Sequence, residues 1–192
     1  MKEIVLASGN AGKLAEFRAI LNDFKVLSPK DLNIEFDVDE TGKTFYDNAF
    51  IKARALYEIC KLPTIADDSG LCVNALNGAP GVFSARYSGG TDKDNNKKLL
   101  REMDGAADRK AYFESCIVYY DGMQTIAATG RTYGVIAQAE SGEGGFGYDP
   151  LFVSDDLGKT FGEASEAEKN GVSHRARALA GLAEKLRAAI IK

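Results

Sequence analysis

The sequence predicts a single mixed α/β domain with some α+β character, spanning residues 1–192. Early strand-like segments alternate with helical segments, whereas "AYFESCIVYY" and "TIAATGRTYGVIA" form the pattern of a β-hairpin. Parallel strands need helical connections and hairpins are antiparallel, so both patterns together indicate a mixed sheet with flanking helices and two lobes. The chain is long enough to bury one generous core, and its 45% hydrophobic content is typical of globular proteins.

Charge and composition argue against several classes of function. The chain has 24 Lys and Arg against 28 Asp and Glu, a formal net charge of -4, so it lacks the overall basic field of proteins that bind long nucleic acids or anionic membranes. Its first residues, "MKEIVLASGN", lack the apolar segment of a signal peptide, and no apolar run approaches about 20 residues. We therefore expect a cytoplasmic protein that binds neither nucleic acid nor membrane.

The three cysteines, Cys60, Cys72 and Cys116, are far apart and lie in apolar stretches. An odd number of widely spaced cysteines does not fit a disulfide framework or a zinc site. The pattern favours reduced cysteines that pack in the core.

Hydrophobic periodicity predicts a strand and two helices in the first third of the chain. The segment "KEIVLAS" (residues 2–8) reads as a buried strand. Apolar residues then follow at helical spacing, namely Leu14, Phe17, Leu21 and Phe24. A second helix should begin near Thr44 and end before Pro63, with an apolar stripe of Ala49, Ala53, Leu56 and Cys60.

Two more helices and the hairpin turn are predicted further along the chain. A short helix should run from about Thr91 to Met103. Asp121 and Gly122 should supply the positive φ angles of the hairpin turn. The final helix should be capped by Ser173 and should bury Leu179, Leu182, Leu186 and Ile190.

Two adjacent carboxylates, Asp67 and Asp68, interrupt the buried strand pattern of "TIADDSGLCV". Burial of an unpaired carboxylate costs several kcal/mol, so a metal ion, lysines, backbone donors or water must face these oxygens. Strand side chains alternate between faces, so both can enter one cleft only if the strand ends there, and Ser69-Gly70 suggests a bend. We therefore expect one carboxylate to be catalytic and the other structural.

The stretch "SGNAGK" (residues 8–13) follows a strand and opens a helix. In this position, free backbone N–H groups and the helix dipole can hold a phosphate, and Lys13 adds charge. It is not a Walker motif, because only two residues separate Gly9 from Gly12 and Leu14 follows the lysine. An ordinary glycine-containing turn is an equally valid interpretation of this stretch taken alone.

The stretch "GEGGFG" (residues 142–147) matches the dinucleotide pattern G-x-G-x-x-G but is followed by a strand-like "LFV" rather than a helix. We instead expect a flexible loop that presents Phe146, Tyr148 and Asp149, with one aromatic ring to stack on a base and one carboxylate to accept hydrogen bonds from the base edge. The alternative is a glycine hairpin with aromatic residues in the core.

Several polar residues have both a functional and an ordinary explanation. Asp47 belongs to an acidic set with Glu40, but Thr44 and Asp47 also match a capping box. Lys52 lies four residues after Asn48, a spacing that usually marks a solvated helix edge. His174 and Arg175 start the last helix, where the dipole disfavours positive charge, so a ligand with oxygen atoms would resolve the conflict.

Six stretches of the chain, taken together, resemble the inosine triphosphate pyrophosphatase family. They occur in the family's order from residue 8 to residue 179: "SGNAGK", "DETGKTFYDNAFIKA", "IADDSGL", "GAPGVFSARYSG", "GGFGYDPLF" and "EKNGVSHRARAL". None of these motifs identifies the family alone, but all six in the same order are specific for it. The resemblance implies hydrolysis of non-canonical purine nucleoside triphosphates (ITP, dITP, XTP), a twisted mixed sheet with two lobes around a central substrate cleft, and a homodimer.

The resemblance also implies roles for individual residues. Glu40 and Asp68 would bind Mg²⁺, Asp68 would also accept a proton, and Asp67 would be structural or act behind the substrate-binding residues. Lys52 would neutralise phosphate charge and Ser69 would contact the substrate. The phosphates would be embraced by Ser8, Gly9, Asn10, Ala11, Gly12 and Lys13. The base would be held by Phe146, Gly147, Tyr148 and Asp149, assisted by Lys169, His174 and Arg175.

The implied reaction is hydrolysis between the α- and β-phosphates, which yields a nucleoside monophosphate and pyrophosphate. Magnesium would lower the pKa of the attacking water, which Asp68 would deprotonate, and Lys13 and Lys52 would stabilise the departing pyrophosphate. The chain has Ser8 where the family often has Thr, and Asp47 where it often has Glu. The shorter Asp47 leaves its reach to a metal open, so it is not a first-choice ligand.

Two other functions fit the same motifs. One is a pyrophosphatase for other altered nucleotides, such as modified pyrimidines. The other is a nucleotide sensor that binds without turnover, although a sensor has no need for a water-activating carboxylate such as Asp68 beside Glu40.

Overall fold

The computed structural model describes residues 1–190, without the side chain of residue 190. Within this range there are six strands: β1 (Lys2–Leu6), β2 (Phe24–Leu27), β3 (Thr64–Val73), β4 (Lys110–Tyr120), β5 (Thr125–Ile136) and β6 (Phe152–Ser154). The same range contains five α-helices: α1 (Ala11–Ile20), α2 (Phe45–Cys60), α3 (Asp92–Glu102), α4 (Glu166–Val172) and α5 (His174–Ile190). Short 3₁₀ helices occupy Pro29–Leu32, Asn74–Leu76 and Gly81–Arg86.

The strands form one sheet in the order β2-β1-β3-β4-β5-β6. Strand β1 pairs in parallel with β2 and β3, whereas β5 and β6 are antiparallel. The parallel pairs are connected through α1 and α2, and β4 and β5 are joined by only four residues, a connection that antiparallel strands permit. The predicted mixed sheet with helical connections is therefore confirmed.

The chain divides into two compact units. The first contains Met1–Asp68, Ser115–Gly130 and the described residues from Arg175 onward. Its core combines residues of β1 and β2 with Phe17 of α1, the end of β4 and the middle of α5, all fully or nearly excluded from water. Leu179, Leu182 and Leu186 of α5 lie in this core, as the periodicity predicts, whereas the side chain of Ile190 lies outside the described part of the chain.

The second unit contains Ser69–Glu114 and Arg131–His174. Its core is built by the second half of β3, helix α3 and three packed aromatic rings. Phe113 lies 4.8 Å from Phe152 and 6.1 Å from Phe161, measured between ring centroids. These contacts bury the start of β4 against β6 and fix the chain that follows the loop at residues 142–149.

The first helix is shorter than its apolar spacing predicts. Leu21 leaves the helical conformation, with φ -92° and ψ 47°, and Phe24 begins β2. Both side chains are still buried, because a turn followed by a strand continues to direct them into the same core. Apolar spacing alone does not distinguish the two geometries over so few residues, so strand β2 was missed.

Two other local predictions need correction. In the β4–β5 turn only Gly122 has a positive φ, of 88°, and Asp121 instead accepts hydrogen bonds from the backbone N–H groups of Met123 and Gln124. The short helix α4 was also not predicted, although Ser165 and Glu168 form a capping box at its start. A seven-residue helix is too short to show clear periodicity.

None of the three cysteines forms a disulfide. Cys72 and Cys116 are buried, but Cys60 is partly exposed near the end of α2. From residue 1 to residue 190, no helix combines the length and the apolar character required to cross a membrane.

Candidate active site

The phosphate-binding stretch forms the entry to helix α1. Asn10 caps the helix, and its Oδ1 accepts from the backbone N–H of Lys13 at 3.0 Å. The hydroxyl of Ser8 accepts from the backbone N–H of Asn10 at 3.1 Å. Residues 9–12 are exposed, so the first-turn backbone donors of α1 are accessible to a ligand. The predicted strand–loop–helix arrangement is confirmed; its role in binding phosphate stays a prediction.

Asp67 lies at the centre of a buried charge cluster. Its Oδ1 accepts from Nζ of Lys13 at 3.0 Å, and its Oδ2 accepts from Nε of Arg175 at 3.3 Å. Burial alone would raise the pKa of this carboxyl group, but the positive charges of Lys13, Arg175 and Lys52 outweigh it and hold the pKa well below its usual value. Asp67 is therefore an anion that the protein itself neutralises.

Asp68 makes a different set of contacts. Its Oδ2 accepts from Nδ2 of Asn48 at 2.9 Å, and Oδ1 of Asn48 accepts from the backbone N–H of Gly42 at 2.7 Å. Strand β3 continues through both aspartates to Val73, so the strand does not end at Ser69-Gly70. The two carboxylates instead contact different partners, as the alternation of side chains along a strand requires.

Glu40 and Lys52 form an ion pair, with 3.2 Å between Oε1 and Nζ. Lys52 is only 13% exposed, so it does not lie on a solvated helix edge. Asn48, one turn earlier on α2, is completely buried. The spacing of Asn48 and Lys52 therefore marks a polar strip that faces protein groups, and the expectation of an exposed edge is wrong.

The donor set of Glu40 and Asp68 is compatible with magnesium. Among residues 1–190, no group of three or more His, Cys, Asp or Glu side chains is arranged to hold a metal ion. Magnesium does not require such a group, because it commonly binds one or two carboxylates together with substrate phosphates and water. Asp47 has another role, since its Oδ2 accepts from the backbone N–H groups of Lys43 and Thr44 in the predicted capping box.

In the second unit, the loop at residues 142–149 presents one aromatic ring and buries the other. Phe146 is 65% exposed, and Nζ of Lys169 lies 4.5 Å from its ring centroid. Tyr148 is buried, and its hydroxyl donates to the backbone carbonyl of Ser84 at 2.7 Å. Phe146 is therefore available to a ligand, whereas Tyr148 is a core residue, and the expectation that the loop presents Tyr148 is wrong.

Asp149 holds this loop in shape. Its Oδ2 accepts from the backbone N–H of Phe146 at 2.9 Å and pairs with Nζ of Lys169. A Cβ atom at Gly145 would lie 2.0 Å from Oδ2 of Asp149, so the glycine is required for this close approach. Asp149 thus makes intramolecular bonds from a buried position rather than standing open to solvent.

Helix α3 anchors the same loop at Gly147. The backbone N–H of Gly147 donates to Oδ2 of Asp92 at 3.0 Å, and its carbonyl accepts from Nδ2 of Asn96 at 3.2 Å. Sequence reasoning missed Asp92 and Asn96 at this loop, as it missed Asn48 beside Asp68. No local pattern could have identified them, because their partners lie 20 to 55 positions away in the chain.

Of the remaining predicted residues, His174 and Arg175 lie at the start of α5. His174 begins α5, is 7% exposed and stacks on Phe113 with 5.1 Å between the rings. Arg175 is neutralised by Asp67 and by Glu16, whose Oε2 lies 3.2 Å from Nη1. No ligand is therefore required to balance its charge at the helix start, and that expectation is wrong. Ser69 is half-buried within β3.

Comparison with known proteins gives consistent matches over almost the whole chain. A model described as the Ham1 family matches residues 4–185. A dITP/XTP pyrophosphatase of Treponema denticola is 48% identical over 184 residues, which cover 92% of this chain and 94% of that protein. A dITP/XTP pyrophosphatase of Haemophilus influenzae is 50% identical over 194 residues, 96% of this chain and 99% of that protein.

Solved structures agree with these sequence matches. The Staphylococcus aureus Ham1 protein superimposes with a TM-score of 0.92 at 43% identity, covering 97% of this chain and 99% of that chain. A HAM1 protein from Coxiella burnetii also gives a TM-score of 0.92, at 40% identity, covering 98% of this chain and 100% of that chain.

Proposed function

Because this chain belongs to the Ham1 family, we propose that it hydrolyses non-canonical purine nucleoside triphosphates, namely ITP, dITP and XTP. The products are the nucleoside monophosphate and pyrophosphate. The proposal is supported by relatives that are named dITP/XTP pyrophosphatase at about half identity across nearly their full length. The enzyme would remove deaminated purines from the nucleotide pool.

The structural observation that carries the proposal is the separation of the two adjacent aspartates. Asp67 is committed to Lys13 and Arg175, whereas Asp68 contacts the neutral amide of Asn48. A carboxylate that is positioned by a neutral amide donor can accept a proton from a bound water, as general-base catalysis requires. Asp68 is therefore the general base of the proposed reaction.

The reaction begins with a water molecule positioned against the α-phosphorus. Asp68 takes a proton from this water, the water oxygen bonds to the α-phosphorus, and the bond from that phosphorus to the α–β bridging oxygen breaks. The bridging oxygen leaves with the pyrophosphate. Asn48 holds the carboxylate of Asp68 by one oxygen, which fixes its orientation during the transfer.

The phosphates are bound by the first turn of α1 and by two lysines. Ser8, Gly9, Asn10, Ala11 and Gly12 surround the N-terminus of α1, where first-turn backbone N–H groups and the helix dipole favour anions. Lys13 and Lys52 bring positive charge to the departing pyrophosphate. Ser69 lies one residue after the general base and contacts the substrate.

Glu40 and Asp68 would hold Mg²⁺, and a bound magnesium would supply positive charge to the phosphate oxygens and lower the pKa of the attacking water. Because Lys52 pairs with Glu40, its ammonium group lies beside one of these carboxylates. Lys52 can therefore neutralise phosphate charge next to the residues that would hold the metal.

The purine base is held by residues of the loop at 142–149 and by the start of α5. Phe146 stacks on the base, since its ring is exposed rather than packed in the hydrophobic core. Gly147 and Tyr148 set the loop backbone, and Asp149 and Lys169 fix its shape through their ion pair. His174 and Arg175 supply donors for the oxygen at position 6 of hypoxanthine or xanthine.

The proposed enzyme is a cytoplasmic homodimer in which residues 1–192 act as one pyrophosphatase domain. Size-exclusion chromatography with light scattering tests the dimer. A mass of about 41 kDa, twice the 20.7 kDa of the chain, is the expected result, and 20.7 kDa would contradict it.

A turnover assay tests the proposed function. The purified protein is incubated with dITP, XTP, ITP, dATP, dGTP and a set of modified pyrimidine triphosphates, with magnesium and with excess chelator. Products are identified by mass. We expect pyrophosphate and the monophosphate from dITP, XTP and ITP, and loss of activity in the chelator.

Each alternative gives a different result in this assay. Turnover of the modified pyrimidine triphosphates alone would show that the substrate is not a purine nucleotide. Stoichiometric binding of dITP without product would indicate a sensor. Release of inorganic phosphate rather than pyrophosphate would contradict the proposed cleavage between the α- and β-phosphates. Full activity in excess chelator would exclude magnesium as the cofactor.

A further inference from the structure

Asp67 connects two helices of the first unit through a single carboxylate. Its side chain is only 1% exposed at the middle of β3. Lys13 comes from the first turn of α1 and Arg175 from the first turn of α5, and both contact this carboxylate within 3.3 Å. The carboxylate of Asp67 thus brings together two cations that lie 54 and 108 positions away from it in the chain.

Neither cation would adopt this position without Asp67. Each lies in the first turn of a helix, where the helix dipole disfavours positive charge. The two positive charges also repel each other at short range, and little water screens them at so buried a site. The attraction of both groups to Asp67 therefore determines where Lys13 and Arg175 lie.

Lys13 retains the capacity to bind a ligand while it is held. Its side chain is 24% exposed, and its ammonium group has three donors, of which the two oxygens of Asp67 occupy at most two. Arg175, by contrast, is only 8% exposed and is also held by Glu16. The cluster thus presents a fixed ammonium group rather than a mobile surface lysine.

A gain in stability is a weak explanation for such a cluster. Replacement of a buried ion pair or triad by apolar side chains is often neutral or stabilising. The arrangement is better explained by what it does to Lys13, because positioning of a charged group before the substrate binds removes the cost of ordering it during the reaction.

We infer that Asp67 is a positioning residue of the proposed reaction: its carboxylate holds Lys13 and Arg175 in the geometry in which they act on the substrate, without contacting the substrate itself. The inference rests on the proposed function. It goes further because the resemblance leaves open whether Asp67 is structural or acts behind the substrate-binding residues, and the inference assigns it a measurable effect on kcat.

The inference predicts a specific division between kcat and KM. In the native cluster, Lys13 and Arg175 are balanced by Asp67 and Glu16. Asp67→Asn leaves one net positive charge, so attraction for the triphosphate is retained and KM should fall or change by less than about threefold. Misplacement of a catalytic group by about 1 Å costs about 100-fold, so kcat should fall by about that factor.

The experiment measures kcat and KM for dITP in wild type, Asp67→Asn, Asp67→Glu and Glu16→Gln, with circular dichroism and melting temperature as folding controls. Asp67→Glu keeps the buried charge but moves the carboxylate, and should also lower kcat by at least about 10-fold. It replaces Asp67→Asn if that variant does not fold. Glu16→Gln removes the other carboxylate at Arg175 but none at Lys13, and should change kcat by less than about threefold.

Three results would overturn the inference: wild-type kcat in either folded Asp67 variant, a rise in KM with kcat unchanged, or an equal loss of kcat in Glu16→Gln. If the first of these results came with a changed melting temperature, Asp67 would have a purely structural role. Failure of the proposed function is distinguishable, because the wild-type protein itself would then release no pyrophosphate from dITP.

Discussion

Asn48 donates a hydrogen bond from Nδ2 to Oδ2 of Asp68 at 2.9 Å, and the other end of its amide accepts from the backbone N–H of Gly42 at 2.7 Å. Because both ends of the amide are occupied, the orientation of Asn48 is fixed. The amide therefore presents a neutral donor to the proposed general base and holds one of its oxygens in place. Any test of Asp68 must preserve this contact.

Asp68→Asn should retain the fold but lose most turnover. The new side chain can still accept from Asn48 through its amide oxygen, so packing is kept, but it can no longer take a proton from water. General-base catalysis is typically worth about 100- to 10,000-fold, and kcat for dITP should fall by a factor in this range. Steady-state kinetics with circular dichroism checks this, and near-native kcat in the folded variant would exclude the assigned role.

Asp47→Ala is the matched control, because it removes a carboxylate from the same unit that caps α2. Loss of the hydrogen bonds to the backbone N–H groups of Lys43 and Thr44 should lower the free energy of unfolding by about 1 kcal/mol. The kcat for dITP should stay within about threefold of wild type. A large loss of kcat with an unchanged unfolding midpoint would instead place Asp47 among the metal ligands.

Phe146→Ala should raise KM without destabilising the protein. The ring is exposed and fills no core, whereas stacking of an aromatic ring on a base contributes about 1 to 3 kcal/mol. We therefore expect KM for dITP to rise by about 10-fold and the melting temperature to stay within about 2 °C of wild type. Tyr133→Ala, which removes another exposed ring of the same unit, should leave KM unchanged. Equal KM values in the two variants would remove Phe146 from the base site.

Arg175→Ala and Lys13→Ala should separate base selection from phosphate binding. Adenine carries an amine where hypoxanthine carries the oxygen at position 6, so a donor aimed at that oxygen rejects adenine. Arg175→Ala should reduce the ratio of kcat/KM for dITP to that for dATP by at least about 10-fold. Lys13→Ala should lower both values about equally, since all triphosphates share the groups it contacts.

The ratio is the decisive quantity here, because Arg175 also contacts Asp67 and its removal should lower absolute rates for every nucleotide. If Arg175→Ala leaves the preference for dITP intact, base selection does not reside at this arginine. In that case His174 is the next candidate for the donor at the start of α5.

Alkaline conditions should expose the contribution of Tyr119 to stability. Burial, together with the negative charge of Asp121, raises the pKa of this phenol to about 12 in the folded protein, and its hydroxyl donates to Oδ2 of Asp121. An unfolded tyrosine ionises near pH 10, so the stabilisation is fully present below about pH 10 and is lost as the pH rises toward 12.

Tyr119→Phe cannot ionise, and its unfolding midpoint in urea should fall less between pH 8.5 and pH 11 than that of wild type. At pH 8.5 the variant should be equal to or slightly less stable than wild type, because it lacks the hydrogen bond to Asp121. A parallel decline of the two proteins would show that Tyr119 does not contribute to the loss of stability at high pH.

The sequence by itself determined the features that depend on neighbouring residues. The strand before "SGNAGK", the capping box of Thr44 and Asp47, helix α3 and the β4–β5 hairpin all follow from short-range spacing and are present in the structure. The six motifs in family order also led directly to the family. Short elements were harder to predict from the sequence, because the four residues of β2 and the seven of α4 are too few to show a hydrophobic periodicity.

Only the tertiary structure decided which charges face each other. Asp67 and Asp68 are adjacent in the chain and chemically identical, and the sequence offers no reason to pair one with Lys13 and Arg175 and the other with Asn48. The alternation of strand side chains separates the two carboxylates, and the packing of α1, α2 and α5 on the sheet determines what each one meets. Side-chain chemistry is local to a residue, but burial and charge neutralisation depend on partners as far as 108 positions away, and only folding brings those partners together.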